Sequence, residues 1–342
     1  MVTIKDVARD AGVSVGTVSN VLNGGRVSEA RRKLVEASIE KLGYQVNTLA
    51  KGMRMQKTDY VVVILPNLIN PYFALLLDAL ESELSAVVKQ VLLCLSGDDA
   101  EREVAFMDMA KQNKVDGIIG VTYSKVEEER IENMAFVSID RHYKSHIPCV
   151  AGDNWQGGWL AAENLHKRGA TNLLCFMTMS SVDSEVRKRR VGFTEYCMEH
   201  DLSCNSVEMS EKQIVSVYES YGSRKLIHNM LRAYISPSMG EHSIDGIFTS
   251  SDHLATIVQE ELEEMGKRVP EDIQIIGYDG LQFLNQGKPI VSSIAQPVHE
   301  IAKEAVRCLN ELIANGKTEG NTKIPVSFQE GPTTKTLVTE EK

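Results

Sequence analysis

Residues 4–23 read IKDVARDAGVSVGTVSNVLN, and this stretch decides the fold of the amino-terminal region. It divides into a helix from Ile4 to Ala11, a tight turn at Gly12 and a second helix entered through Ser14. A helix-turn-helix has three sterically restricted places. Ala8 is small where the helices cross, Gly12 permits the positive φ of the turn, and Val18 plugs the shared core. The Ser14 hydroxyl is placed to satisfy a free amide at the start of the second helix. A plain αα-hairpin also needs a small residue and a glycine. It does not need a second helix faced with Gly16, Thr17, Ser19, Asn20 and Asn23, whose short polar side chains suit close approach to a groove.

Outward from this stretch, residues 28–42 carry Leu34, Val35, Ser38, Ile39 and Leu42 at helical spacing, with Arg31, Arg32 and Lys33 near the start. This third helix is expected to close a three-helix core. The polar, basic run GYQVNTLAKGMRMQKTD follows, with Asn47 as a cap for a short helix through Met55. Gly52 in its middle costs about 1 kcal/mol relative to Ala, so the segment is expected to order only on DNA and beside a second copy.

Charge divides the chain in the same place. Residues 1–58 carry ten Lys/Arg against five Asp/Glu, net +5, and the remainder carries 27 against 42, net −15. A basic head on an acidic body focuses attraction for phosphate at one end. The 342 residues suit a small headpiece plus two medium lobes, and 43% hydrophobic with 25% charged residues leaves no room for extended disorder. No run approaches the roughly 18 apolar residues that span a bilayer, and the charged start MVTIKDVARD is not a signal peptide, so a cytoplasmic protein with no membrane partner is expected. The six cysteines and eight histidines are scattered, with no C-x-x-C or H-E-x-x-H; reduced thiols and no metal site are expected.

From Tyr60 onward, short β runs alternate with helices. Strands are expected at Tyr60–Leu65, Val91–Leu95, Gly117–Val121, Phe136–Ile139, Asn172–Met177, Gly246–Thr249 and Ile273–Gly277, and helices at Ala74–Val88, Glu101–Gln112, Leu160–Lys167 and Leu254–Met265. The alternation implies parallel sheets with right-handed crossovers, and the near-continuous apolar strands imply sheets covered on both faces. Two sheets of five or six strands would make two lobes. No G-x-G-x-x-G, G-x-S-x-G or Walker A run is present, GDNWQGGW does not follow a strand with the dinucleotide spacing, and no nucleophile, base and orienter set stands out, so neither a cofactor nor an enzyme activity is expected.

The opening TIKDVAxxAGVSxxTVSxVLN, the segment G-Y-x-x-N-x-x-A-K-x-M, and the later VDGIIG, PEDIQIIGYD and AQP stand in one order. In these segments the chain resembles the lactose-repressor/galactose-repressor (LacI/GalR) family of bacterial transcription regulators, over essentially its whole length. The resemblance implies an all-α helix-turn-helix headpiece (1–45), a hinge helix (46–58) and an α/β two-lobed core like a periplasmic binding protein, with the chain crossing between lobes three times. One lobe would comprise 59–153 and 296–322, the other 154–295 and 323–338. It also implies a homodimer on double-stranded operator DNA with inverted-repeat symmetry, acting as a repressor. Val15, Gly16 and Asn20 fall where the family reads base edges, and Ser14, Thr17, Ser19 and Asn23 where it grips phosphates. The hinge departs from the common pattern at Val46, Lys51 and Met53; Lys51 is expected on DNA, and Met53 is slender and apolar enough to wedge a base step from the minor groove.

A small effector is implied between the lobes, where strand carboxyl ends face each other. Loops after the strands offer Asn67, Asn70, Tyr72 and Phe73, then Asp140 and Arg141, Arg189 in KRRVGF, Asp252 in TSSDH and Asp279 in IGYDG. Arg189 and Asp279 coincide with the family's effector positions. Asp and Arg forks beside an aromatic face suit a polyhydroxylated ring, so a sugar or sugar derivative is expected. The alternatives are a nucleobase or a partner protein as the trigger. Each carboxylate also has a plain structural reading, as the cap of the next helix.

Overall fold

The computed structural model describes residues 2–22, 24–44, 58–127, 130–131, 134–143, 147–179, 182–210, 213–214, 216, 224–235, 243–282 and 286–337. By contacts the chain separates into residues 1–58 and 59–342. In the first unit, helices α1 (Ile4–Asp10), α2 (Val15–Leu22) and α3 (Glu29–Leu42) bury Val7, Ala8, Ala11, Val18, Val21 and Val35 together. Each end has a local cause. The Thr3 amide and hydroxyl both donate to the Asp6 carboxylate, at 3.0 and 2.7 Å, and fix the entry to α1. Gly12 takes a φ of +63° in the turn, and the Ser14 hydroxyl accepts the Thr17 amide at 3.1 Å to cap α2. The Ser38 hydroxyl donates to the Val7 carbonyl at 3.3 Å and ties α3 to α1. Leu34, expected in the core, is 54% exposed; the buried stripe of α3 runs through Val35 and Ser38, one residue further round the helix.

The second unit holds two six-stranded sheets. The first contains β1 (Tyr60–Leu65), β2 (Gln90–Leu95), β3 (Gly117–Val121), β4 (Phe136–Ile139), β5 (Cys149–Gly152) and β11 (Thr322–Ile324), in the order β11-β5-β4-β3-β1-β2. The second contains β6 (Asn172–Met179), β7 (Ser203–Ser210), β8 (Gly246–Thr249), β9 (Gln274–Asp279), β10 (Ser292–Ala295) and β12 (Ser327–Gln329), in the order β12-β10-β9-β8-β6-β7. All pairings are parallel except β10 with β12. Helices α4 (Pro71–Ala86) and α10 (Val298–Asn315) cover one face of the first sheet, and α5 (Ala100–Gln112) the other. On the second sheet, α6 (Asn154–Lys167) and α7 (Arg187–Glu199) pack against one face, and α8 (Lys225–Ile235) and α9 (Asp252–Glu264) against the other. Strands such as β3, β4 and β9 are buried at every residue, as sheets covered on both faces require.

The chain passes between the sheets after Gly152, after Ala295 and after Ile324. The last passage is two residues later than a boundary at 322, because β11 pairs with β5 through Ile324. Helix α6 begins at Asn154, six residues before the expected start at Leu160. Gly157 and Gly158 look like breakers, yet they lie inside the helix because α7 approaches its backbone there. A Cβ on Gly158 would lie 1.8 Å from the Arg189 carbonyl oxygen, and one on Gly192 would lie 2.0 Å from that of Trp155.

Candidate functional site

In the headpiece, packing decides which face of α2 is available. Val18 and Val21 point inward, so Ser14, Val15, Gly16 and Asn20 are exposed, with Thr17 and Ser19 half-buried beside them. The Ser14 and Thr17 hydroxyls lie 2.9 Å apart. The result is a shallow polar surface with one protruding amide, Asn20, and one apolar side chain, Val15. Asn23, Lys51 and Met53 lie outside the described residues.

In the core, parallel strands bring their carboxyl ends to one side of each sheet, and a cavity partly open to solvent lies between the two sets of ends. Asn67, Asn70, Tyr72, Phe73 and Asp140 line it from the first lobe, Arg189 and Asp279 from the second. Arg189, on the first turn of α7, is 4% exposed. Its Nε donates to Asn154 Oδ1 at 2.7 Å and its guanidinium NH1 to the Ser250 carbonyl at 2.7 Å, while the guanidinium stacks 3.5 Å from the centre of the Tyr278 ring. Asn154 in turn donates to Asp140 Oδ1 at 3.3 Å and to the Gly152 carbonyl at 2.9 Å. Gln296 donates to Asp279 Oδ1 at 2.9 Å, and Tyr72 reaches Gln296 Oε1 at 3.5 Å. Two hydrogen-bonded clusters, Asp140–Asn154–Arg189 and Tyr72–Gln296–Asp279, thus each join the two lobes.

Its charges are tuned by burial. Burial pushes the Asp140 carboxyl up to about 6, against the pull of Arg189 and the Asn154 amide. Burial likewise pushes Asp279 to about 7, opposed by Arg189, by Gln296 and by the Asn70 amide approaching from the first lobe. Burial works against the Arg189 charge, and the neighbouring Tyr278, Asp279 and Asp140 more than restore it. Asp279 Oδ2 is buried with no donor at hydrogen-bonding distance among the described residues. Both carboxylates sit on left-handed backbone, φ +60° at Asp140 and +117° at Asp279, which costs about 1–3 kcal/mol each in a residue with a side chain.

Two expected cavity residues point elsewhere. Arg141 is buried within the first lobe, where its guanidinium NH1 donates to Thr122 Oγ1 at 3.3 Å and to the Ser124 carbonyl at 2.6 Å, and it stacks 4.4 Å from the Tyr143 ring centre. It follows Asp140 directly, but the left-handed turn of the backbone at Asp140, just past the end of β4, sends the two side chains to different surroundings. Asp252 is wholly buried and clamps its own lobe, accepting Ser293 Oγ at 2.6 Å and the Leu281 amide at 2.7 Å. Residues not singled out in the sequence take their places: Tyr123, Thr178, Ser250 and Gln296 line the cavity, and Asn154 orients Arg189 from behind it. Gln296 sits in the AQP segment, Ser250 in TSSDH and Asn154 in GDNWQGGW, whereas Tyr123 and Thr178 had no signal.

The headpiece, residues 3–47, matches the model of bacterial regulatory proteins of the lacI family, and residues 162–334 match that of a periplasmic binding protein-like domain. The sucrose operon repressor of Pediococcus pentosaceus is 33% identical over 332 residues, spanning 96% of this chain and 98% of that protein. The chain belongs to the lacI family. This lacI-family protein is a DNA-binding transcriptional regulator. Among solved structures, a periplasmic binding protein/LacI transcriptional regulator from Alkaliphilus metalliredigens complexed with D-xylulofuranose is 25% identical with a TM-score of 0.69, over 81% of this chain and 100% of that one. The lac repressor dimer bound to operator shares the fold at a TM-score of 0.79 and 22% identity, over 97% of this chain and 98% of that one. Among the described residues, no helix of the regulator is long and apolar enough to cross a membrane.

Proposed function

We propose that this regulator is a cytoplasmic repressor that binds an inverted-repeat operator as a homodimer, and that a sugar or sugar derivative held between the core lobes sets its operator affinity. The observation that carries the effector reading is the buried network Asp140–Asn154–Arg189 and Asp279–Gln296, built from both lobes and facing one cavity. Carboxylates accept from hydroxyls, an arginine fork donates to ring oxygens, and Tyr72 and Phe73 offer apolar faces, which together match a polyhydroxylated ring. Because the ligand would touch both lobes, it would favour one lobe arrangement over the other, and linkage would carry that preference to the DNA. The bound sugar in the A. metalliredigens relative supports the same class. On DNA, Val15, Gly16 and Asn20 would meet base edges, with Ser14, Thr17, Ser19 and Asn23 on phosphates and Lys51 and Met53 at the hinge.

The test is a thermal-shift screen of the full chain against sugars, sugar derivatives and nucleobases, followed by operator titration with each hit. A sugar that raises the melting temperature and moves operator affinity is the expected result. A nucleobase as the sole hit, or no small-molecule hit with operator binding intact, would replace the sugar by the corresponding trigger.

A further inference from the structure

Away from the cavity, α8 and α9 bring together three groups with no part in effector or DNA binding. His228 on α8 faces Glu261 and Glu264 on α9, and one ligand atom from each lies within 4.8 Å of the other two. We propose that His228, Glu261 and Glu264 form a site for a divalent transition-metal cation that clips α8 to α9.

Geometry and burial support this independently. His228 Nδ1 lies 3.1 Å from Glu261 Oε2. Nitrogen and carboxylate ligands sit about 2.0–2.2 Å from a zinc-like ion, so two of them at tetrahedral or octahedral angles are about 3.0–3.5 Å apart. An ion can therefore enter between these atoms with little movement. Glu261 and Glu264 are three residues apart and share a helix face, which brings an oxygen of each within 4.8 Å of the imidazole nitrogen. The Glu261 side chain is 5% exposed, in a helix interface whose neighbours Ile227, Leu231, Val258 and Leu262 are wholly buried. A carboxylate in such surroundings is costly unless a donor or a cation faces it, and the His228 imidazole faces it here. Arg224 pairs with the adjacent Glu260. One imidazole with two carboxylates suits zinc, cobalt or manganese better than magnesium or calcium, and three protein ligands leave room for water.

Ile214, which lines the cavity, packs in the same apolar cluster as Ile227 and Leu231 of α8, and α9 opens at Ser250 and Ser251, which also line it.

The test is a Co²⁺ titration of the full chain after chelator treatment, followed by calorimetry and absorption. We expect one equivalent per chain in the micromolar range, without the intense near-ultraviolet sulfur-to-cobalt band, since all six thiols lie elsewhere. His228→Ala should weaken binding about a hundredfold or more, because changes even to the partners of metal ligands alter affinity about 10- to 100-fold. Glu264→Gln, at an exposed position, should weaken it while leaving the metal-free melting temperature unchanged, and decides the matter should His228→Ala fold poorly. Absence of saturable binding, a sulfur band, or unchanged affinity in Glu264→Gln would overturn the site.

Discussion

At the scale of single residues, Arg189 joins several groups of the cavity wall. It holds Asn154 and the Ser250 carbonyl, stacks on Tyr278 and offsets Asp140 and Asp279, so Arg189→Ala should cost about 3–5 kcal/mol of stability as well as effector binding. Arg189→Lys keeps the charge and loses the fork, and is expected to lower effector affinity by about 1.5–3 kcal/mol while effector-free operator binding persists. Calorimetry beside operator titration checks it; an unchanged effector midpoint would remove Arg189 from the ligand's contacts. Asn20 belongs to the other surface. An amide pairs best with adenine, so Asn20→Ala should cost about 1–3 kcal/mol on the cognate operator and spare random duplex; equal losses on both would make it a backbone contact. Asp279 makes the core sensitive to pH. Its proton is held more tightly in the folded chain, at about 7 against an ordinary 3.8, so the folded state binds more protons between these values and its stability falls as pH rises from about 4 to 7. Chemical unfolding of Asp279→Asn should show a smaller decline across that window, with the variant gaining on the parent as pH rises. Parallel curves would place the carboxyl's titration elsewhere.

At the scale of elements, the contact of α6 with α7 positions the cavity. Gly158 and Gly192 let the two backbones touch, and the atom closest to Gly158 is the carbonyl of Arg189 itself. Gly158→Ala has no flexible side chain to displace, so α7 must move as a body and take Arg189 with it. A loss of about 1–3 kcal/mol in stability is expected from such overpacking, together with weaker effector binding. Melting temperature and effector titration on one preparation check this, and a variant that keeps both would show that the helices part without consequence. Sequence reading placed α6 only from Leu160 and missed this contact, because glycines inside a helical stretch read as breakers until the neighbouring helix is known.

At the scale of the molecule, the division into a basic head and an acidic body bears on binding. Operator affinity should fall linearly on a log–log plot against salt, in proportion to the phosphates contacted. Two half-sites require two chains, so sedimentation with operator should give a protein mass of twice 37.9 kDa. One chain per operator at saturation would rule the dimer out.

By itself, the sequence determined what depends on neighbours along the chain. Ala8, Gly12 and Val18 meet within one turn and two short helices, so the headpiece was legible from steric needs alone. The apolar strands were legible because burial on both faces leaves a continuous run, whereas β5 (CVAG), β7 (SCNSVEMS), β10 (SSIA), β11 (TKI) and β12 (SFQ) carry small or polar residues and leave no such run. Which residues after those strands face the cavity was decided by the tertiary structure. Asp140 turns in and Arg141 turns away, because the chain leaves β4 through a left-handed residue at Asp140 and Arg141 finds its acceptors within its own lobe. Asp252 is drawn inward because α9 begins against β10, where Ser293 and the Leu281 amide offer donors. Asn154 reaches Arg189 across 35 residues, and His228 reaches Glu261 across 33, distances that only the packing of separate helices closes.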